Sequence, residues 1–319
     1  MRLTVLIPTH SPRRDYLART LAALQAQDLP LSDWELVLID NASPVPLDPS
    51  LVAWHPHARV VREEKLGLTH ARLRGLKEAS GELLVWSDDD NLLAPDYLRL
   101  ACAAFAADPH LGAAGGKSLP EYETPPPSWF TPGLAPLGCR DLGDQPLEAR
   151  WTPDAPRHYP SAAPIGAGLV IRRDALQAWA HLAATDPVRQ SFGRTGTALT
   201  SGEDNDINLT LLAAGWTLAY LPALRLTHLI PPRRLTLDYQ CRISRAAYRD
   251  FVRVLALHDI VPWPPLTRLG AALRRARAWL VLRAWRGPDA TIRWQSACGQ
   301  IDGRCLLRRR HQKLAKVKK

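Results

Sequence analysis

Residues 81–95 of the chain read GELLVWSDDDNLLAP, and this stretch decides the fold class. Leu83–Trp86 is a short, continuous apolar run, which predicts a strand that is buried on both faces. The run leads directly into three acids, Asp88–Asp90, and helical periodicity follows over Pro95–Ala107. A buried strand, a polar turn and a helix in this order are typical of α/β proteins, in which ligands bind at the carboxyl ends of the strands.

The same alternation of short apolar runs and helical periodicity extends over the first 120 residues, and it predicts a parallel sheet with helices on both faces. Three of the predicted strands end in polar residues, at Pro8-Thr9, at Asp40 and at Asp88. Because ligands bind outside the carboxyl ends of such strands, this convergence predicts a ligand site. The predicted strands are Leu3–Pro8, Trp34–Ile39, Arg59–Arg62, Leu83–Trp86 and Leu111–Gly116, and the predicted helices include Leu68–Ala79 and Pro95–Ala107.

The chain changes character between Pro120 and Pro164, where eleven of its 28 prolines lie and periodicity is weak. A long irregular segment inside a compact domain is typical of a lid or a binding loop. Regular patterns resume after this segment. The predicted elements are the strands Gly166–Arg172, Trp216–Leu221 and Arg225–His228, and the helices Arg173–Leu182, Thr236–Leu257 and Thr267–Trp285. A further helix is predicted to follow Gly202-Glu203-Asp204 and to run to about Ala214.

The net charge of +10 arises at the C-terminal end of the chain. Residues 267–319 carry fifteen Lys or Arg and two acids, a net charge of +13, whereas the preceding 266 residues carry a net charge of −3. A composition with 46% hydrophobic and 23% charged residues excludes wholesale disorder. The sequence therefore describes a mildly acidic body with a strongly basic tail.

The five cysteines are widely spaced and form no CxxC motif. This spacing argues against a disulfide framework and against a zinc site, and it favours a reducing compartment. The N-terminus lacks the pattern of a signal peptide, and no stretch reaches the roughly 18 uncharged apolar residues of a spanning helix. We therefore expect a cytoplasmic protein.

The three adjacent acids are the strongest single signal in the sequence. Acids in a row repel one another and lower stability unless a positive partner offsets them. Along an extended chain Asp88 and Asp90 point the same way, so that both could bind one divalent cation while Asp89 points elsewhere. The alternative is a solvated acidic turn ahead of the next helix. The position of the acids at the carboxyl end of a strand favours the metal site.

Two further motifs are ambiguous when taken alone. Glu203 and Asp204 start a predicted helix, where carboxylates either cap the helix N-terminus or serve as a base that takes a proton from an attacking hydroxyl. His228 lies in the apolar run 226–230, where a histidine is more often part of the core than a ligand.

In their order along the chain, these motifs resemble those of the family 2 glycosyltransferases, which have the GT-A fold. The resemblance covers roughly residues 1–240, and its seven motifs are weak one by one but specific in this order. The matching segments are Leu3–Thr9, Asp40 in VLIDNAS, Lys65–Arg72, Asp88–Asp90, Gly166–Gly168 with Arg172-Arg173, Gly202–Ile207 (GEDNDI) and His228–Arg233.

The resemblance implies an inverting transfer of a sugar from a nucleotide-sugar, expected to be a UDP-sugar, to a carbohydrate or lipid-linked acceptor, with Mn²⁺ or Mg²⁺. By position, Asp204 would be the general base and Glu203 would help to position the acceptor. Asp90 would bind the metal, and His228 would be an additional contact either to the metal or to the diphosphate. The nucleotide-sugar would be contacted by Pro8, Thr9, Asp40, Lys65, Arg72, Asp88 and Asp89, and Gly166 would lie on the acceptor side.

The resemblance also divides the chain into three parts. Residues 1–120 would be the nucleotide-sugar-binding half of a GT-A domain, 121–240 its acceptor-binding and catalytic half, and 241–319 a helical basic extension. The proline-rich segment would shape the acceptor site. Its aromatic residues Trp129, Phe130 and Trp151 either stack on a sugar or pack the segment onto the body.

The basic tail has two interpretations. Thr267–Trp285 mixes leucine and tryptophan with arginine, which is typical of an interfacial helix on an anionic membrane and would place the protein at its inner face. The cationic run 304–319 adds to this, and the alternative is a solvated helix with a disordered tail. A nucleic-acid-binding protein or nuclease using Asp88–Asp90 is the rival function, and the acidic body disfavours it.

Overall fold

The computed structural model describes residues 2–260 and 263–317, with side chains as far as Leu307. The chain forms two compact units. The first comprises Met1–Glu121, Gly138–Ala198 and Glu203–Ile230, and the second comprises Tyr122–Leu137, Leu199–Gly202 and Pro231–Lys319. The side chains of the cationic run after Leu307 lie outside the described residues.

Within the described residues, nine strands form one sheet. Its order is β3-β2-β1-β4-β8-β6-β9-β5, and β7 also pairs with β9. The strands are β1 (Leu3–Thr9), β2 (Trp34–Asn41), β3 (Ala58–Glu63), β4 (Leu83–Trp86), β5 (Asn91–Leu93), β6 (Leu111–Tyr122), β7 (Leu147–Ala149), β8 (Leu169–Arg172) and β9 (Thr217–Ile230).

The pairing of the strands brings the carboxyl ends of β1, β2 and β4 to one edge. These strands and β3 are parallel neighbours, and Leu3 of β1 lies opposite Trp34 of β2 and Leu83 of β4. Beyond β4 the sheet is antiparallel, since β8 pairs in this sense with β4 and β6, and β9 with β5 and β7. β1, β2 and β4 are buried along their whole length, as their apolar runs predict.

Helices cover both faces of this sheet, which confirms the expected α/β architecture. Val5 of β1 shares a core with Leu21 and Phe105, which belong to helices on one face. The next residues along β1 and β4 point to the opposite face of the sheet. On that face Gly75 lies against Trp86 of β4. The helices of this unit are α1 (Arg14–Gln25), α2 (Leu68–Glu78), α3 (Tyr97–Ala107), α4 (Arg173–Thr185), α5 (Pro187–Gln190) and α6 (Glu203–Ala213).

The C-terminal part of the sheet differs from the prediction. The two short strands predicted at Trp216–Leu221 and Arg225–His228 form the single strand β9. β9 continues through a proline, which has no N–H to donate to a neighbouring strand. Gly116 of β6 has no side chain, so the backbone of β9 can approach β6 closely at this point. A Cβ on Gly116 would lie 1.9 Å from Leu224 O and 2.4 Å from Leu221 O, on either side of Pro222.

The second unit contains α7 (Leu237–Leu257), α8 (Arg268–Val281) and α9 (Pro288–Val317), which confirms the helical C-terminal extension. α9 packs closely on α7, because a Cβ on Gly299 would lie 2.3 Å from Arg245 O. α8 ends earlier than predicted, since Arg283 adopts a left-handed conformation (φ 51°) and a short 3₁₀ turn follows. Among the described residues, no helix has the length and apolar character needed to cross a membrane.

Candidate active site

Polar residues from β1 and β2 meet at the carboxyl edge of the parallel strands. Thr9 ends β1, and its hydroxyl donates a hydrogen bond to the carboxylate of Asp89, which follows β4. Asp40 of β2 is buried and accepts hydrogen bonds from Ser43 N at 3.0 Å and Arg62 Nη1 at 2.8 Å. Burial raises the pKa of Asp40, but the hydrogen bonds outweigh burial and hold the pKa below its ordinary value. Asp40 is therefore a structured anion at this edge.

The loop ahead of α2 is held by Asn41, a role that the sequence did not indicate. The Asn41 side chain accepts a hydrogen bond from Gly67 N at 2.8 Å and donates one to Lys65 O at 2.8 Å. The backbone of Lys65 is thus fixed while the residue itself is exposed. Pro8 is buried within β1, opposite Ile39 of β2.

Asp90 and His228 come together because β5, which follows the acids, pairs with β9. Asn91 lies opposite His228 in this pairing, and Asp90 Oδ1 lies 3.4 Å from His228 Nε2. Both side chains are buried. Burial raises the pKa of Asp88, and the charge of Asp90 raises it further. The predicted metal pair is therefore close together, with a second carboxylate beside it.

The donor set of this pair fits a divalent cation. His228 Nδ1 lies 3.3 Å from Gly138 O, so this nitrogen donates to the carbonyl, and Nε2 faces Asp90. Histidines that bind a metal through one ring nitrogen commonly donate the N–H of the other nitrogen to a backbone carbonyl. Within residues 2–260 and 263–307, no group of three or more His, Cys, Asp or Glu could hold a metal ion. Magnesium sites of enzymes often use one or two carboxylates, with substrate phosphates as the other ligands.

Asp204 lies in the first turn of α6, and its carboxylate is oriented by backbone amides. Asp204 Oδ2 accepts a hydrogen bond from Gly166 N at 3.0 Å, and Oδ1 accepts one from Asn205 N at 2.9 Å. Asp204 is partly exposed, whereas the preceding Glu203 is buried. The accessible carboxylate of the two is therefore the one that is held in a defined direction.

Glu203 faces the guanidinium of Arg72 in a buried pair. Arg72 Nε lies 3.8 Å from Glu203 Oε1, and both side chains are at most 4% exposed. Among the described residues, both carboxylate oxygens of Glu203 lack a hydrogen-bond partner, as do Nε and Nη1 of Arg72. Burial raises the pKa of Glu203 to about 7, although Arg72 opposes this change. Buried polar atoms without partners are rare in native proteins, and they are expected where a ligand binds.

The loop that contains Gly193 and Arg194 packs against Glu203 of this pair, and the sequence did not indicate a role for it. Arg194 O accepts a hydrogen bond from Leu68 N at 2.8 Å, at the start of α2. A Cβ on Gly193 would lie 2.5 Å from Thr69 Oγ1 and 2.9 Å from Glu203 Oε2. The positive charge of Arg194 also acts on the pKa of Asp88. The sequence of this loop has no periodicity of apolar residues. The feature that could have indicated a role is a glycine next to an arginine.

The proline-rich segment contributes Tyr159, which is another residue that sequence reasoning missed. Tyr159 Oη donates a hydrogen bond to Asn205 Oδ1 at 2.6 Å and accepts one from Asn208 Nδ2 at 3.2 Å. Burial raises the pKa of Tyr159, and the charge of Asp204 raises it further. The segment is thus fastened to the helix that carries the candidate base.

The predicted sugar-stacking tryptophans make contacts within the protein. Trp129 belongs to the second unit and packs against the core that contains Ile243 and Ile292. Trp151 Nε1 donates a hydrogen bond to His158 O at 3.0 Å, and the guanidinium of Arg157 lies 5.1 Å from the Trp151 ring. Their contact with an acceptor remains a prediction.

The fold and the site together define a class of protein. The chain has a sheet that is parallel at one end and antiparallel at the other, with acids at the parallel strand ends. A helix led by Glu203 lies close enough to Asp88 for the two charges to interact. This is the architecture of GT-A transferases, and the sequence assigns the family. The model described as glycosyl transferase family 2 matches residues 4–176, more than half of the chain, so the chain belongs to this family of glycosyltransferases.

Curated relatives match this chain over part of their own length. The glucosyl-dolichyl phosphate glucuronosyltransferase of Haloferax volcanii is 26% identical over 160 residues, which are 48% of this chain and 50% of that protein. The matches to curated relatives span between a quarter and a half of those proteins.

Two solved structures share the fold at low sequence identity. The first is Staphylococcus aureus TarS, residues 1–349, in complex with UDP, with a TM-score of 0.51 and 16% identity over 97% of this chain and 92% of that one. The second is GalNAc-T7 with UDP, GalNAc and Mn²⁺, with a TM-score of 0.54 and 19% identity over 80% of this chain and 47% of that one. The expected GT-A fold is therefore confirmed.

Proposed function

We propose that the protein moves a sugar from a nucleotide-sugar to a hydroxyl of a glycan or lipid-linked acceptor by a single inverting displacement. One observation carries this proposal, which is that Arg72 and Asp204 flank the side-chain-free position Gly166. A Cβ there would lie 3.2 Å from Arg72 Nη2 and 3.7 Å from Asp204 Oδ2. A cation and an oriented carboxylate beside one position without a side chain suit a reaction in which a hydroxyl loses a proton while a diphosphate departs.

Asp204 is the general base in this proposal. The acceptor oxygen attacks the anomeric carbon, the bond between that carbon and the diphosphate oxygen breaks, and the hydroxyl proton passes to the Asp204 carboxylate. The amides of Gly166 and Asn205 hold the carboxylate in place, so little reorganisation is needed at the moment of transfer. Glu203 then acts through its neighbours, because it is buried behind Asp204 and positions the acceptor side of the site.

The departing diphosphate gains negative charge, and cationic side chains around the site would stabilise this charge. Arg72 has two side-chain nitrogens without hydrogen bonds to other described residues, and Arg194 and Lys65 lie on the loops around α2. Asp90 and His228 would hold Mn²⁺ or Mg²⁺. Such an ion, when bound, stabilises charge on phosphate oxygens as a Lewis acid.

The donor and the acceptor are assigned by class. Thr9, Asp40, Asp88 and Asp89 line the strand edge where the nucleoside would bind, in residues 1–120. The UDP named in both solved structures supports a UDP-sugar. The dolichyl phosphate in the name of the Haloferax volcanii relative supports a lipid-linked acceptor, which would bind within 121–240.

The rival function, a metal-dependent nuclease, is not favoured. The family match covers the strands that carry Asp40 and Asp88–Asp90, so these acids belong to a glycosyltransferase framework.

The proposal is tested by measuring the thermal unfolding midpoint, Tm, of the whole chain with a panel of UDP-, GDP- and dTDP-sugars, with and without MnCl₂. We expect a UDP-sugar to raise Tm more in the presence of Mn²⁺, because a ligand that binds only the folded state stabilises it. Turnover is then followed as release of nucleoside diphosphate in the presence of candidate acceptors. A panel in which no nucleotide-sugar raises Tm and none is consumed would contradict the proposal.

A further inference from the structure

Helix α8 turns an apolar face towards solvent. Leu269, Leu273 and Leu280 are 72%, 64% and 59% exposed. Their spacing of four and seven residues places them on one side of the helix, together with Ala276. Soluble proteins rarely leave a continuous apolar stripe in water, and such a stripe marks an interaction site.

The opposite side of α8 already packs against α9 within its own unit. The exposed face is therefore a different face from the one that contacts α9. Ala271 is buried with Leu266 and Ile301 in a small core. Arg275 forms an ion pair with Asp302, and Arg275 O accepts a hydrogen bond from Trp294 Nε1 at 3.2 Å. These contacts set the rotation of α8 about its axis, and they leave the leucine stripe pointing away.

Tryptophans and arginines surround the stripe. Trp279 and Trp285 are 40% and 54% exposed, and their ring centroids lie 4.6 Å apart. Amphipathic rings of this kind favour the boundary between water and lipid headgroups. Arg268, Arg274 and Arg277 are exposed along the flanks of the helix. Their long side chains can keep the guanidinium in water while the leucines are covered.

The part of the chain that forms this surface is strongly basic. Residues 267–319 contain two acids, and both are already engaged: Asp302 pairs with Arg245 at 2.8 Å and with Arg275, and Asp289 accepts a hydrogen bond from Thr131 at 2.7 Å. The surface therefore attracts an anionic partner that is also apolar.

We infer that the outward face of α8 docks the protein onto the surface of an anionic phospholipid bilayer. An anionic bilayer offers acyl chains to the stripe and phosphate headgroups to the flanking arginines at the same time. A nucleic acid would use the arginines but would leave Leu269, Leu273 and Leu280 in water. A second copy of the chain would cover the leucines but would bring two sets of arginines together.

The test is sedimentation of the full chain with vesicles of phosphatidylcholine containing about 30% phosphatidylglycerol, compared with vesicles of phosphatidylcholine alone. We expect binding to the anionic vesicles. The triple variant L269S/L273S/L280S should lower the partition coefficient more than about a hundredfold, since three apolar side chains are removed. R268Q/R274Q/R277Q should lower it about fivefold per arginine at low salt. Controls at exposed sites elsewhere, V45S, L182S and R14Q, should bind like the original chain.

Two further measurements distinguish a bilayer from a second copy of the chain and from a nucleic acid as the partner of this face. Brominated lipid should quench the tryptophan fluorescence of the original chain, and the quenched fraction should fall in W279F/W285F. The variants should keep the Tm of the original chain because the replaced side chains are exposed. Equal binding to neutral and anionic vesicles would overturn the inference, and so would full binding by the triple leucine variant. A dimer in sedimentation velocity that the leucine variant dissociates, without vesicle binding, would assign the face to a second copy. Loss of nucleic-acid binding in the arginine variant alone, again without vesicle binding, would assign it to nucleic acid.

Discussion

Arg72 Nε lies 3.8 Å from Glu203 Oε1, and this ion pair is almost completely buried without a hydrogen bond between its partners. The two residues are 131 positions apart, one on α2 and one at the start of α6. Another nitrogen of the same guanidinium, Arg72 Nη2, lies 3.2 Å from the position that a Cβ on Gly166 would take, and Asp204 Oδ2 lies 3.7 Å from that position. A buried ion pair whose polar atoms lack hydrogen bonds lowers the stability of the fold, so this pair has a cost in folding free energy.

Glu203 should make stability depend on pH. Its pKa is raised from 4.5 to about 7 in the folded chain, so the folded state holds this proton more tightly than the unfolded state between these values. The contribution of Glu203 to the free energy of unfolding therefore falls as pH rises from about 4.5 to 7, by up to about 3 kcal/mol. Urea unfolding at pH 5 and pH 7.5 should show a smaller difference for Glu203→Gln than for the original chain. Glu148→Gln, at an exposed position, is the matched control, and an unchanged pH dependence in Glu203→Gln would contradict the raised pKa.

Asp204→Asn should abolish transfer and leave donor binding intact. The amide keeps the size of the side chain but cannot take the acceptor proton, and loss of a general base lowers turnover by roughly 10²- to 10⁴-fold. The measurement is kcat for nucleoside diphosphate release together with the donor Kd from calorimetry. Asp174→Asn changes an exposed acid in the first turn of α4 and should alter neither quantity. Retained turnover in Asp204→Asn would exclude Asp204 as the base.

Removal of the pair at β5 and β9 should weaken donor binding when metal is present. Asp90→Asn and His228→Gln each remove one group that would hold the divalent ion, and we expect the Mn²⁺-dependent donor Kd to rise at least about tenfold. Titrations with EDTA in place of MnCl₂ should show little difference between these variants and the original chain. Asp154→Asn, in the exposed part of the proline-rich segment, serves as the control. Identical titrations with and without Mn²⁺ for all proteins would contradict the metal assignment.

Tyr159→Phe should destabilise the fold around the site. The change leaves Asn205 Oδ1 and Asn208 Nδ2 without the phenolic hydroxyl, and an unsatisfied buried polar group costs about 1–3 kcal/mol. Urea unfolding measures this loss. Tyr248→Phe, at a residue that is 37% exposed, should stay within about 0.5 kcal/mol of the original chain. Equal stabilities of the two variants would show that Tyr159 does not fasten the proline-rich segment.

Much of the parallel half of the fold could be predicted from the chain alone. β4 was predicted to the residue, and α2 and β1 differ from their predictions by one residue at one end. Continuous apolar runs and helical periodicity are local signals, and they are strong when an element is buried on one face or two. The antiparallel half was harder, because β5 is three residues long and β9 continues through Pro222.

The positions of Asp40 and Asp88–Asp90 at the ends of buried strands are encoded locally, since these acids follow apolar runs and parallel strands end at one edge. The distant groups that meet these acids are brought there by the folding of the whole domain. His228 reaches Asp90 through the pairing of β5 with β9, and Arg72 reaches Glu203 through packing of α2 near α6. Such contacts depend on strand register and helix packing over more than a hundred residues, and no local pattern of side chains encodes them.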